Sequence, residues 1–184
     1  MAENDHMTLV ATHIDSPVGT LRLVASGTGV SAVIWDGDDP GRVAFANTAA
    51  DGDNALLTRA ARQITEYFAG ERTEFDLPLD LRGTPFQVKA WRALATIPFG
   101  ETVSYSEQAS RIGAPTAVRA IGAANGRNPV SIVLPCHRVI GANGSLTGFA
   151  GGLDAKRALL AFERRVAHGD HTPMPIVEQD RALF

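Results

Sequence analysis

The sequence predicts an α+β protein in two halves, a small antiparallel sheet with one helix followed by a mostly helical unit. Three observations carry this. Residues 13–35 alternate in strand fashion, the stretch from Thr84 to Arg165 holds repeated helix-start signals, and charge divides between the halves. Residues 1–81 carry 5 Lys/Arg against 13 Asp/Glu, whereas residues 82–165 carry 11 against 4. For 184 residues one domain or two small ones is expected. The boundaries read as 1–82 for the α+β half, 83–167 for the helical half and 168–184 for a poorly ordered tail.

In order along the chain, Ile14, Leu21, Leu23 and Val24, then Val30, Val33, Ile34 and Trp35, read as strands. Pro17-Val18-Gly19 and Ser26-Gly27-Thr28-Gly29 punctuate them, giving a hairpin or meander. The Gly/Asp-rich stretch from Asp36 to Asp53 reads as loop. Leu57, Ala60, Ala61, Ile64, Tyr67 and Phe68 then share one helical face that ends at Gly70. Phe75-Asp76-Leu77-Pro78-Leu79 reads as a strand with an edge proline.

Gly83 marks the boundary. Thr84-Pro85-Phe86-Gln87 combines a capping box with proline at the first helical position, for a helix through Val88, Trp91 and Leu94 that stops before Pro98. Ser104-Tyr105-Ser106-Glu107 is a second capping box, for a short helix to Gly113. A third helix is expected from Pro115 to Gly126, and the pair reads as a helix-turn-helix. Asp154 opens and caps a last helix, with Leu159, Leu160 and Phe162 inward and Arg164-Arg165 suited to its C-terminal dipole.

No apolar run approaches a membrane span. The acidic, polar start Met1-Ala2-Glu3-Asn4-Asp5-His6 does not read as a secretory signal. A single cysteine fits a reducing cytosol and hence a cytoplasmic protein. It also excludes an internal disulfide and a multi-thiolate zinc site. The basic second half is the asymmetry expected of a protein that meets a polyanion.

The third helix, Pro115-Thr116-Ala117-Val118-Arg119-Ala120-Ile121-Gly122-Ala123-Ala124-Asn125, has only one long charged side chain, Arg119. Reading base edges in the major groove needs several polar side chains. A slim face of Ala117, Ala120 and Ala123 suits the minor groove instead, about 6 Å wide, where Arg119 could wedge into the base stack. Close helix–helix packing would also use small residues.

Cys136 is the only cysteine and lies in Val133-Leu134-Pro135-Cys136-His137-Arg138-Val139-Ile140. It is an inert core thiol or a nucleophile. A thiol with pKa of about 8.5 is only about 3% thiolate at pH 7, so a nucleophile needs a base or a cation. His137 is the candidate base, yet neighbours in a strand point to opposite faces. The two would need an intervening water or a turn at Pro135 to communicate. Glu163, the one carboxylate of the last helix beyond its first turn, is the candidate that orients His137. Arg138 could touch a phosphate or form a structural ion pair, and the latter is favoured.

Pro135-Cys136-His137-Arg138-Val139-Ile140, preceded by Asn128-Pro129 and followed by Gly148-Phe149-Ala150-Gly151-Gly152-Leu153, resembles the active-site region of O6-alkylguanine-DNA alkyltransferases. The likeness extends through Gly100-Glu101-Thr102-Val103-Ser104-Tyr105 and Ala117-Val118-Arg119-Ala120-Ile121-Gly122. It is close over residues 75–165 and looser before them. The resemblance implies a ribonuclease H-like N-terminal half and a winged helix-turn-helix-like C-terminal half. It implies minor-groove binding of duplex DNA containing O6-alkylguanine, flipping of the damaged nucleotide, and irreversible single-turnover alkyl transfer to Cys136, with O4-alkylthymine left open as a second substrate. By position, His137 resembles the water-mediated base and Glu163 the carboxylate that orients it. Asn128 resembles the organiser of the nucleophile loop, and Tyr105 the residue that hydrogen-bonds the guanine ring. Arg119 resembles the finger that fills the gap, and Phe149, Ala150 and Gly151 resemble the pocket loop. Several relatives carry Tyr where this chain has Phe149, and the small loop suggests room for larger alkyl groups.

No cofactor, metal or membrane partner is expected, and a monomer is, with cooperative binding on DNA left open. Two other readings stand beside this one. One is a lesion-binding relative that binds alkylated DNA without repair, against which Cys136 argues. The other is a Cys–His hydrolase, which would need neither the slim arginine helix nor the basic half.

Overall fold

The computed structural model describes residues 8–178. The acidic start of the chain and the last six residues of the expected tail lie outside these. Strands β1 (Val10–Ile14), β2 (Leu21–Ala25) and β3 (Val30–Trp35) form an antiparallel meander. A short β4 (Ala50–Asp51) joins the outer side of β1 in parallel, giving the order β3-β2-β1-β4. The sheet is therefore mixed, and β4 falls in the stretch read as loop. Two residues flanked by Gly52 and Asp53 leave no alternation to detect.

Strand alternation sends Leu21, Leu23, Ala25, Val33 and Trp35 to the main core and Val24, Ala32 and Ile34 to a smaller cluster under the turn at Ala44–Thr48. Helix α1 (Ala55–Phe68) covers the main-core face. Asn54 caps it by accepting from Leu57 N, and Leu57, Ala60, Ile64, Tyr67 and Phe68 point inward. The segment Phe75–Leu79 is not a strand. Gln63 takes its hydrogen bonds instead, donating to Asp76 O at 3.0 Å and accepting from Asp76 N at 2.9 Å, and only Leu79 bridges to Val30.

Helix α2 (Pro85–Leu94) begins with both halves of the Thr84–Gln87 capping box. Strand β5 (Val103–Ser104) leads into α3 (Tyr105–Arg111), where Ser104 accepts from Glu107 N. Helix α4 (Val118–Gly126) starts three residues later than expected, because Ala117 N bonds to Ala114 O and closes a turn over Pro115 and Thr116. Strand β6 (Val139–Ile140) pairs in parallel with β5. Helix α5 (Leu153–Ala167) starts at Gly152 without a side-chain cap, and Asp154 accepts from Arg157 rather than capping. Ala90, Ala109, Ile112, Ile121 and Ala124 pack α2, α3 and α4 together. The largest core cluster runs across both halves, from Leu21 and Tyr67 to Trp91 and Phe162.

The segment after α5 differs from the poorly ordered tail expected. His171 Nδ1 donates to Gly70 O at 2.8 Å, Met174 N to Phe68 O at 2.9 Å and Val177 N to Pro17 O at 2.7 Å. Met174 is buried. The backbone of Gly70, at φ +78°, lies so close to this strap that a Cβ would meet His171 O at 2.7 Å. Backbone pairing and one buried methionine hold a segment whose composition shows no period.

Candidate active site

Cys136 opens a 3-10 turn, Cys136–Arg138, not a strand. The loop before it is wound by Asn128, whose Oδ1 accepts from Val130 N at 3.0 Å and whose Nδ2 donates to Leu134 O at 2.8 Å. Ile132 sits at φ +73°, beneath a three-residue turn closed by Val133 N to Ser131 O at 2.9 Å. A β-branched residue there costs about 1–3 kcal/mol and persists only where its surroundings enforce it. Strand β3 supplies part of that enforcement. Val33 N donates to Pro129 O at 2.8 Å and Ser131 N to Val33 O at 3.1 Å. Arg42, from the N-terminal half, donates to Asn128 O at 2.9 Å.

The turn buries His137 completely. Its Nε2 lies 2.7 Å from Glu163 Oε1. Arg138 grips the same carboxylate from the other side, Nε to Oε2 at 2.8 Å and Nη2 to Oε1 at 2.9 Å, so it forms the structural ion pair. Its Nη1 donates to Ile97 O at 2.8 Å. Tyr67 donates to Glu163 Oε1 at 2.7 Å, and the Gly100 amide to Oε2 at 3.4 Å. Burial disfavours the charged carboxylate, but His137 and Arg138 outweigh it and hold Glu163 well below the usual carboxylate range. An ionised Glu163 has no proton to give, so His137 Nε2 is the donor. The other ring nitrogen, Nδ1, is buried and makes no hydrogen bond within the protein. In the neutral imidazole it is the acceptor.

Cys136, 9% exposed, lines a cavity of about 560 Å³ together with Tyr105, Arg119, Ser131, Phe149 and Ala150. Burial pushes the thiol above its ordinary pKa, and the Asn128 amide, the Lys156 ammonium and Arg42 pull it back only in part. The Lys156 ammonium is buried, donates to Val139 O at 2.8 Å and Thr147 O at 3.0 Å, and lies 6.0 Å from the Tyr105 ring centre. Burial lowers its pKa. The Tyr105 hydroxyl is 3.1 Å from Thr147 Oγ1. Phe149 packs edge-on to Trp35 at 5.2 Å.

Of the residues singled out in the sequence, Cys136, Tyr105, Arg119, Phe149 and Ala150 share this cavity. His137, Glu163 and Asn128 are buried, with Asn128 bracing the nucleophile loop from within. Gly151 does not line the cavity. It packs on Trp35, where a Cβ would come within 2.5 Å of the ring. Ala120 and Ala123 are exposed beside Arg119, and Ala117 is half-buried at the helix start. Among the described residues, no three or more His, Cys, Asp and Glu side chains cluster to hold a metal ion, and no helix is long and apolar enough to cross a membrane.

Tyr67, Lys156 and Arg42 escaped the sequence reading. Lys156 left a signal, since it lies seven residues before Glu163 on the buried face of α5 with Ala155, Leu159 and Phe162. Two charges on an apolar helical face need partners. Tyr67 was read as core, and nothing local reveals that its hydroxyl finds a carboxylate.

Two family models match: "6-O-methylguanine DNA methyltransferase, ribonuclease-like domain" over residues 9–81 and "6-O-methylguanine DNA methyltransferase, DNA binding domain" over residues 85–165. The chain is 50% identical over 161 residues to a methylated-DNA–protein-cysteine methyltransferase of Mycobacterium tuberculosis, covering 86% of this chain and 94% of that one. It is 52% identical over 112 residues to the constitutive enzyme of that name from Bacillus subtilis, covering 61% and 68%. A crystal structure of Mycobacterium tuberculosis OGT in complex with DNA superposes with a TM-score of 0.78 at 47% identity, over 89% of this chain and 95% of that one. The chain therefore belongs to the 6-O-methylguanine DNA methyltransferase family, and is a DNA-repair methyltransferase with a DNA-binding domain.

Proposed function

We propose that this protein reverses alkylation damage in duplex DNA by moving the alkyl group of an O6-alkylguanine onto Cys136 Sγ, once per molecule. The observation that carries the reading is a buried thiol on the wall of a cavity, adjoining a His137–Glu163 pair bonded at 2.7 Å. Because burial favours the neutral thiol, its proton leaves as attack begins, through a water to His137 Nδ1. Glu163 holds Nε2–H and stabilises the imidazolium. The sulfur attacks the alkyl carbon in line, the S–C bond forms and the C–O6 bond breaks. The guanine anion that leaves is stabilised by the Tyr105 hydroxyl at a ring nitrogen and takes up a proton to become ordinary guanine.

A carbon inside the base stack is out of reach of a protein-held sulfur, so the nucleotide is flipped into the cavity. Arg119 fills the gap, and the exposed faces of Ala120 and Ala123 let α4 sit close in the minor groove. A thioether is not reversed by exchange, and the partner is duplex DNA carrying O6-alkylguanine, met by a monomer in a reducing cytoplasm.

Intact-mass measurement after mixing with duplex DNA containing O6-methylguanine tests the reading. One added methyl per molecule is expected, absent in Cys136→Ala. DNA binding without an adduct would identify a lesion-binding protein instead, and the absence of both would end either reading.

A further inference from the structure

We infer that Tyr67, on the N-terminal half, is a positioning residue for alkyl transfer: its hydroxyl shares Glu163 Oε1 with His137 and so sets how tightly the relay holds its proton. This rests on the transfer reaction proposed above.

The geometry is specific. Tyr67 is fully buried, and its ring is clasped by Phe68, Phe75, Phe99 and Phe162 at centroid distances of 5.1 to 6.1 Å. That clasp leaves the hydroxyl one direction, toward Glu163 Oε1 at 2.7 Å. The same oxygen accepts His137 Nε2 at 2.7 Å and Arg138 Nη2 at 2.9 Å. Burial and the neighbouring Glu163 charge keep the phenol protonated, so toward the carboxylate it is the donor.

The groups facing the carboxylate are thus Tyr67 from α1, His137 and Arg138 from the nucleophile turn, and the Gly100 amide. Lys156, on the same helix as Glu163, donates to backbone carbonyls instead.

Each donor on Oε1 withdraws negative charge from the atom that must stabilise imidazolium. With the phenol in place, Glu163 orients His137 without binding its proton so strongly that the base is blocked. Without it, Oε1 carries more negative charge and holds the imidazolium more tightly, so the relay gives up its proton less readily. Tyr67 also makes the N-terminal half part of the relay.

The test is the pH dependence of single-turnover transfer from O6-methylguanine duplex DNA, followed by intact mass. Tyr67→Phe should move the acid limb upward by about half to one pH unit and slow transfer several-fold at pH 6, with DNA affinity unchanged. Phe75→Leu loosens the same aromatic clasp but keeps the hydroxyl, so it should lower the melting temperature without moving the limb. If Tyr67→Phe folds poorly, 3-fluorotyrosine placed at position 67 alone keeps the ring and strengthens the donor, and should move the limb downward. An unmoved limb in Tyr67→Phe, or in the fluorotyrosine protein, overturns the inference while wild-type transfer still stands. Failure of the wild-type protein to take up methyl would instead remove the reaction itself.

Discussion

Arg138 and Glu163 meet as a two-pronged ion pair inside the protein, with Nε 2.8 Å from Oε2 and Nη2 2.9 Å from Oε1, and no part of the Glu163 side chain reaches solvent. The folded-state pKa of Glu163 lies below its unfolded value. Its contribution to stability is therefore complete above the unfolded value, about 4.3, and is lost as pH falls from there toward the folded one. Glu163→Gln should be less stable than wild type at pH 7, and the gap should narrow by about 2 kcal/mol between pH 5 and pH 3. Denaturant unfolding of both proteins across that range measures it, and a constant gap would contradict the assignment.

Lys156 ties β6, directly after the nucleophile turn, to the pocket loop through Val139 O and Thr147 O, and its charge favours the Cys136 thiolate. Lys156→Met keeps the stem and removes both effects. The rate of Cys136 modification by iodoacetamide at pH 8 should fall several-fold, because less of the thiol is ionised once the ammonium is gone. Lys156→Arg should recover part of it. A rate unchanged in Lys156→Met would show that the ammonium acts on the backbone alone.

Arg119 lies on the exposed face of α4 and on the cavity wall. A finger that fills a vacated stack matters only when a base leaves one. Arg119→Ala should lower transfer from duplex DNA by about 10- to 100-fold, in line with the few kcal/mol that unstacking costs. Reaction with free O6-methylguanine base should change less than about twofold. Equal losses on the two substrates would remove the role.

The cavity of about 560 Å³ exceeds what a methyl group needs, and beside Phe149 its loop presents only the small Gly148 and Ala150. Transfer from benzylguanine should stay within about tenfold of transfer from methylguanine, the modest discrimination an apolar pocket imposes. A steep loss with benzyl would mean the loop closes on the smaller group.

Much of this was legible in the chain. Capping boxes announced α2 and α3, and apolar periodicity α1 and α5, because caps and helical faces are local. Cys136, His137 and Glu163 stood out by type and spacing. What escaped depends on tertiary contact or on irregular backbone. The nucleophile turn looks like a strand in sequence, since Val133, Leu134, Val139 and Ile140 are β-prone, and neither Ile132 at positive φ nor the Asn128 brace has a periodic signature. Phe75–Leu79 has strand composition, but Gln63 holds the backbone of Asp76 and a single bridge at Leu79 is all that reaches β3. Tyr67 has the look of core from every local standpoint, and the strap at His171–Val177 pairs with backbone whose position no local pattern specifies.

The bond between Tyr67 and Glu163 spans 96 positions of the chain, and that distance has a temporal meaning. During synthesis the amino-terminal sheet and α1 can pack as soon as they emerge. Cys136 and His137 follow, but their carboxylate arrives on the last helix, and the strap that pins α1 comes later still. Until α5 packs, His137 lacks the carboxylate that orients it. On the proposed reaction, the thiol therefore gains its oriented base only once α5 has been made and has packed against the nucleophile turn.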